Sequence, residues 1–264
     1  MTRTLRKVAI LLGLLLACAG ATGAENKTLL AVFAHPDDES TVAPLLARYA
    51  REGVKVYVVI ATDGRYGTND FSGYAAGDEL VAVRRREMRC SADMLGVELI
   101  HLDYHDQFRA AEGYDGHVPH MQSLTREITA LMTRLEPDAI ITWGPDGGSN
   151  HMDHRLIGDT VSGVYLSRDW GRPLALYYYG IPRSLIDDDE GRMLYGVDDR
   201  YLTTVVAYEP GDFEKAAAAL RCHKSQFSAE QVERMLADER KLGNRIYLRR
   251  FEAPARESSG LFED

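Results

Sequence analysis

Two short apolar runs, far apart in the chain, each end in a cluster of histidine and aspartate. Leu29-Leu30-Ala31-Val32-Phe33 leads into Ala34-His35-Pro36-Asp37-Asp38-Glu39, and Ala139–Trp143 leads through Gly-rich turns into His151-Met152-Asp153-His154. Unbroken apolar runs of this length read as strands buried on both faces, the habit of parallel sheets covered by helices. In such open sheets, ligands bind in the crevice beyond the strand carboxyl ends. The pair of clusters therefore limits both the fold and the place where chemistry can occur.

The rest of the chain alternates in the same way. Strands are expected at Thr28–Phe33, Lys55–Ala61, Glu98–Leu102, Ala139–Trp143 and Ala175–Tyr179, with a later one near Leu202–Ala207. Helices are expected at Ala43–Glu52, Glu79–Leu95, Ser123–Leu135, His154–Ser167, Phe213–Ser225 and Ala229–Leu242. In the second helix Val81, Met88, Ala92 and Leu95 share a face, Asp78 is placed to cap the start, and Gly96 to stop the end. The pattern predicts an α/β, Rossmann-like, three-layer domain with a mostly parallel sheet. If strands one to three run outward and strand four lies on the other side of strand one, the order is 3-2-1-4-5. The switch point then falls between strands one and four, which carry the two clusters. The polar stretches Gly64–Gly77 and Asp103–Val118 follow strands two and three and should rim the same crevice. Asp187–Glu190 reads as a solvated turn rather than a calcium site.

The N-terminus resembles an export signal spanning residues 1–24, leaving 25–264 as one domain. Arg3, Arg6 and Lys7 precede the aliphatic core Val8–Leu16, and small residues at Ala19–Ala21 and Thr22–Ala24 offer cleavage sites. An uncleaved anchor is one alternative; another is lipidation at Cys18, since Leu15-Leu16-Ala17-Cys18 resembles a lipoprotein box. The protein is thus expected to be exported, periplasmic or extracellular, with the membrane engaged only through a possible lipid at Cys18. A formal charge of −9, more negative still once the leader's three basic residues are removed, argues against nucleic acid as a partner. Cys90 and Cys222 could pair in an oxidising compartment, but both fall in helical stretches, so two separate buried thiols are expected.

His35, Asp38 and His154 supply two imidazoles and a carboxylate, the donor set of a catalytic zinc with one position left open. The bland alternative makes Asp38 or Glu39 a helix cap and His35 a polar turn residue. The second cluster argues against it. Asp37, beside a proposed ligand, is placed to act as general base on water acidified by the metal. Spacing alone also allows Asp37 as ligand and Asp38 as base. Asp153 could orient His151 and favour its protonated form, letting His151 stabilise an oxyanion and protonate a leaving amine. Asp153 could equally cap the helix that follows.

Taken together, Ala34–Glu39, Thr62-Asp63-Gly64, Arg84-x-x-Glu87, Leu95-Gly96, His151–His154 and His223-Lys224-Ser225-Gln226 resemble the PIG-L/LmbE-like zinc-dependent deacetylases. These hydrolyse the N-acetyl group of N-acetylglucosamine conjugates, and the likeness runs from about Lys27 to Gln226. It implies one zinc on His35, Asp38 and His154, Asp37 as base, and His151 backed by Asp153. It also implies that Arg84 and Asp106 contact the sugar; the bland alternative for Arg84 is a surface pair with Glu87. The family often opens the next helix with Gly-Gly, whereas this chain has Ser40–Pro44, which should alter the pocket floor.

The expected activity is hydrolysis of an N-acyl amino sugar or glycoconjugate, a small-molecule partner. Alternatives are an amidase for a non-sugar N-acyl compound, or a metal-stabilised glycan-binding protein without turnover. Two histidines and a carboxylate also serve iron and dioxygen chemistry, but usually on all-β folds. The presence of both Asp37 and His151 favours the enzyme.

Overall fold

The computed structural model describes residues 26–186 and 196–251. The leader, Cys18 and Asp187–Glu190 lie outside the described residues. Seven strands form one sheet: β1 (Thr28–Phe33), β2 (Lys55–Thr62), β3 (Glu98–Tyr104), β4 (Ala139–Thr142), β5 (Ala175–Tyr179), β6 (Thr204–Ala207) and β7 (Arg245–Arg250). Their order is β3-β2-β1-β4-β5-β7-β6. The first five are parallel, in the predicted order 3-2-1-4-5. β7 was not expected. It slots antiparallel between β5 and β6 and gives the sheet a mixed edge.

Successive residues of β1 point to opposite faces, so the strand feeds two cores at once. Leu29, Ala31 and Phe33 pack under α1 (Ala43–Arg51), α5 (Pro210–Leu220) and α6 (Ala229–Lys241), with Met88 and Leu95 of α2 (Asp78–Leu95). Leu30, Val32 and Ala34 pack against α3 (Tyr114–Leu135) and α4 (Met152–Leu166). Every one of these β1 residues is buried. An alternating pattern could not satisfy both faces, which is why the strand reads as a continuous apolar run.

Several boundaries differ from expectation. α3 starts at Tyr114 rather than Ser123 and runs through Pro119, which gives up one backbone N–H near the helix start. Gly77, not Asp78, is the N-cap of α2; Asp78 sits in the first turn, where its charge suits the helix dipole, near Arg65. Gly96 closes α2 in the left-handed conformation, as its sequence position suggested.

The expectation of two separate thiols is overturned. Cys90 and Cys222 are bonded, with their Cα atoms 5.8 Å apart. Cys90 is in α2, but α5 ends at Leu220, so Cys222 lies in the turn beyond it, and that turn packs on α2. The expected helix ran to Ser225, which placed Cys222 on a helix and obscured the approach.

Candidate active site

β1 and β4 are neighbours, so the loops beyond them meet. Asp38 is buried in the turn after β1, and its Oδ2 accepts the N–H of Ala34 (3.0 Å), the N–H of His35 (2.9 Å) and the indole N–H of Trp143 (3.2 Å). Oδ1 lies 3.2 Å from His154 Nε2. The two oxygens are therefore divided: one pinned by the fold, one facing the imidazole. Burial alone would raise the Asp38 pKa, but His154 and His35 outweigh it and hold the carboxyl well below its usual range.

His154 Nδ1 is 2.9 Å from the Gly147 carbonyl, so it carries the proton and leaves the Nε2 lone pair free. The ring stacks flat on Trp143, centroids 4.3 Å apart and 3° from parallel. His35 Nε2 lies 3.1 Å from Asp153 Oδ2, which leaves Nδ1 directed at His154 Nε2, 3.1 Å away. His154 Nε2 stands 3.1 Å from His35 Nδ1 and 3.2 Å from Asp38 Oδ1, and His35 Nδ1 stands 3.7 Å from the other Asp38 oxygen, Oδ2. These values lie near the roughly 3.4 Å between ligands held at about 2.0–2.2 Å on one small tetrahedral cation. Each imidazole also has the backbone carbonyl or carboxylate partner that fixes metal-binding histidines. The donor set fits a divalent metal. Burial alone would lower the His35 pKa, yet Asp38, Asp153 and Asp106 raise it to about 10.

A ring nitrogen of His151 also comes within 4.8 Å of nitrogens of His35 and His154. His151 is the N-cap of α4, and its Nδ1 accepts the Asp153 N–H at 3.2 Å. That leaves Nε2 as the proton-bearing nitrogen of the neutral ring. Burial, with the imidazoles of His35 and His154 close by, pushes the His151 pKa down.

The expected partnership of Asp153 with His151 is therefore corrected. The Asp153 carboxylate accepts from His35 Nε2 and from the Gln107 N–H (2.9 Å), so it orients His35 instead. Nor does it cap α4. The Gln107 N–H reaches it because Gln107, Phe108 and Arg109 form a left-handed turn, with φ of 62°, 45° and 56°. Three successive non-glycine residues in that region are strained, and the buried Phe108 ring helps hold them.

Asp37 lines the same cleft as Arg84 and the two imidazoles, and its Oδ1 lies 3.1 Å from Arg84 Nη2. Burial and the neighbouring Asp38 charge raise its pKa, with Arg84 opposing. Its φ is 142°, unusual for any residue but glycine. Arg84 is almost completely buried and donates to the carbonyls of Gly64 (2.9 Å) and Pro36 (2.7 Å); it makes no surface pair with Glu87. Gly64, at φ 69°, admits it: a Cβ there would stand 2.6 Å from Arg84 Nη1. Asp106 accepts the N–H of Gly64 (3.0 Å) and of Tyr66 (2.8 Å), tying down the loop after β2.

All eight predicted site residues thus meet in one cleft of about 340 Å3, joined by Tyr66, Gly67, Gln107 and Gln226. That volume lies at the lower end of the range of about 300–1,000 Å3 usual for small-molecule sites. Ser40, Thr41 and Pro44 line a different cavity, so the expected change to the pocket floor is not where the sequence difference acts. Trp143 and Gln107 escaped the sequence reading as site residues, and Gln226 entered it only as the end of the motif His223–Gln226. Trp143 had looked like one more apolar strand residue, and only its place beyond β4 hinted otherwise.

Residues 30–165 match the PIG-L family, described as GlcNAc-PI de-N-acetylase. A 1D-myo-inositol 2-acetamido-2-deoxy-alpha-D-glucopyranoside deacetylase of Corynebacterium glutamicum (strain R) is 33% identical over 140 residues, 48% of each chain. The matched region thus spans about half the length of that relative. The protein of the same name from Corynebacterium diphtheriae is 33% identical over 225 residues, 75% of each chain. In fold, the chain is similar to N,N'-diacetylchitobiose deacetylase from Pyrococcus horikoshii, with a TM-score of 0.63, 22% identity, and coverage of 85% of this chain and 84% of that one.

Proposed function

Since this chain belongs to the PIG-L family of de-N-acetylases, hydrolases of amide C–N bonds, we propose that it removes the N-acetyl group from an N-acetylglucosamine-type amino sugar or glycoconjugate. The single observation that carries this reading is the convergence of His35 Nδ1, His154 Nε2 and Asp38 in a cleft that also holds Asp37. We assign one zinc to His35, Asp38 and His154. When bound there, it would acidify water and polarise an amide carbonyl.

The chain's own groups supply the rest. Asp37, held by Arg84, accepts a proton from water and returns it to the departing amine nitrogen. A carboxyl with a raised pKa suits both transfers. His151, neutral at Nδ1, donates from Nε2 to the carbonyl oxygen as charge develops there. Asp153 keeps His35 Nδ1 aimed inward. Arg84 and Asp106 shape the sugar's seat, through the loop they tie down as much as by direct contact.

Export is part of the proposal. The basic, then aliphatic, leader and the Cys90–Cys222 bond both favour an oxidising compartment outside the cytoplasm. The test joins metal analysis of purified protein to acetate release from a panel of N-acetylglucosamine glycosides, conjugates and non-sugar N-acetyl amines. Stoichiometric zinc with release from amino sugars is expected. Release only from non-sugar amides would move the substrate class, and no release from any compound would end the enzymatic reading.

A further inference from the structure

Of the motifs Arg84-x-x-Glu87 and His223–Gln226, only Arg84 enters the chemistry above, yet the fold joins them along one stripe. Arg84, Glu87 and Ser91 recur at helical spacing on one face of α2. Arg84 reaches the Pro36 carbonyl and the Asp37 carboxylate. Glu87 accepts the backbone N–H (2.8 Å) and the hydroxyl (2.6 Å) of Ser225. Ser91 donates to Glu39 Oε1 at 2.6 Å, and the same oxygen meets His223 Nε2 at 2.7 Å. The side chains of Glu39 and His223 are both wholly buried. The disulfide fixes the residue before His223 to the same helix.

A desolvated carboxylate and imidazole are a poor way to stabilise a core, because apolar residues of similar volume often do as well or better. Their neighbour offers another reason. Asp37 sits two residues before Glu39 with φ at 142°, and such backbone persists only where its surroundings over-determine it. Arg84 holds the preceding side, through the Pro36 carbonyl. Glu39, locked between Ser91 and His223, holds the following side. Asp38 is fixed separately, by Ala34, His35 and Trp143.

We propose that Glu39 and His223 are positioning residues whose buried pair keeps Asp37 in its strained conformation, with its carboxylate on Arg84 and beside the metal-binding group. The inference rests on the reading of Asp37 as the base. It separates two functions of the Asp37-Asp38-Glu39 turn: Asp38 holds the site together, and Glu39 aims the base.

The test uses His223→Leu, which removes the donor to Glu39, and His223→Gln, whose amide N–H can replace it. In the zinc-loaded protein, His223→Leu should lower kcat about tenfold or more, with KM unchanged within about twofold. Bound zinc per chain should stay the same. His223→Gln should recover most of the lost kcat. Crystal structures should show Asp37 relaxed to negative φ in the Leu variant and still positive in the Gln variant. Ser91→Ala removes the other donor with little change of volume. It should lower kcat severalfold with KM kept, and it decides the matter if His223→Leu does not fold. A wild-type kcat in His223→Leu, equal losses in the Leu and Gln variants, or Asp37 keeping its φ of 142° without the His223 donor would overturn the proposal. If the wild-type protein releases no acetate at all, the functional reading fails, and the crystallographic comparison alone decides the positioning role.

Discussion

Opening the Cys90–Cys222 bond should weaken the fold by an amount set mainly by the loop it closes. The two residues are 132 apart in sequence, and the bond links α2, the crossover between β2 and β3, to the turn before α6. Loop-closure entropy for a ring of that size amounts to about 5 kcal/mol at 25 °C, and measured losses on removing native disulfides run from about 2 to 5 kcal/mol. For a domain of this length each kcal/mol moves Tm by about 2–4 °C, so the shift should reach roughly 10 °C. The perturbation is the double variant Cys90→Ser, Cys222→Ser, with reduction of the wild-type protein as a second route. Because Cys222 is buried, the Ser variants also carry a small desolvation penalty, whereas reduction does not. The assay is urea unfolding with and without reductant, beside mass measurement after alkylation. The expected result is one alkylation-resistant pair in the oxidised protein and a lower midpoint once it is reduced. Two freely alkylated thiols, or a midpoint that reduction leaves untouched, would refute the reasoning and restore the separate thiols that the sequence suggested.

Further outcomes are expected at the site. Replacing His35 or His154 with Ala should abolish stoichiometric zinc while near-ultraviolet circular dichroism stays native; zinc retained in both variants would remove the assignment. Asp37→Asn should keep zinc and substrate affinity but cut kcat by about a hundredfold or more. If Asp37→Asn loses the metal and Asp38→Asn does not, the two roles are reversed. In the metal-free protein, NMR titration should find His35 protonated up to about pH 10 and His151 titrating below its ordinary value. Because the folded His35 pKa is raised, its contribution to metal-free stability is full below about pH 6.5 and is lost as pH rises through about 10. The His151 shift has the opposite sign, so its contribution is present above about pH 6.5 and is lost on acidification. The reverse order of titration in the NMR experiment would contradict the hydrogen bonding described. Gly64→Ala should cost about 1 kcal/mol or more, since φ is 69° and the new Cβ would press on Arg84; a drop in kcat should accompany it as Arg84 leaves Asp37, and unchanged unfolding and kinetics would show that the loop yields freely.

What the sequence determined by itself is local in origin. Leu29–Phe33 and Ala175–Tyr179 could be read as strands because their composition states burial directly, and β1 and β5 begin and end where expected. The order of the first five strands followed from helix-strand alternation, and with it the meeting of His35, Asp38, Asp37, His151, Asp153 and His154 at the β1/β4 switch point. β7 was missed because Arg245, Arg249 and Arg250 mask the alternation of Ile246 and Leu248, which are buried only because β5 and β6 flank them. Tertiary structure alone decided which partner each polar group takes. Asp153 turns to His35 rather than to its neighbour His151, Cys90 finds Cys222, and Glu39 finds His223 across most of the chain. Composition and periodicity report whether a residue is buried, because burial is set by a segment's own face. Hydrogen bonds and covalent bonds act over about 3 Å, so they are chosen by how distant segments dock, to a precision that no spacing in one chain encodes.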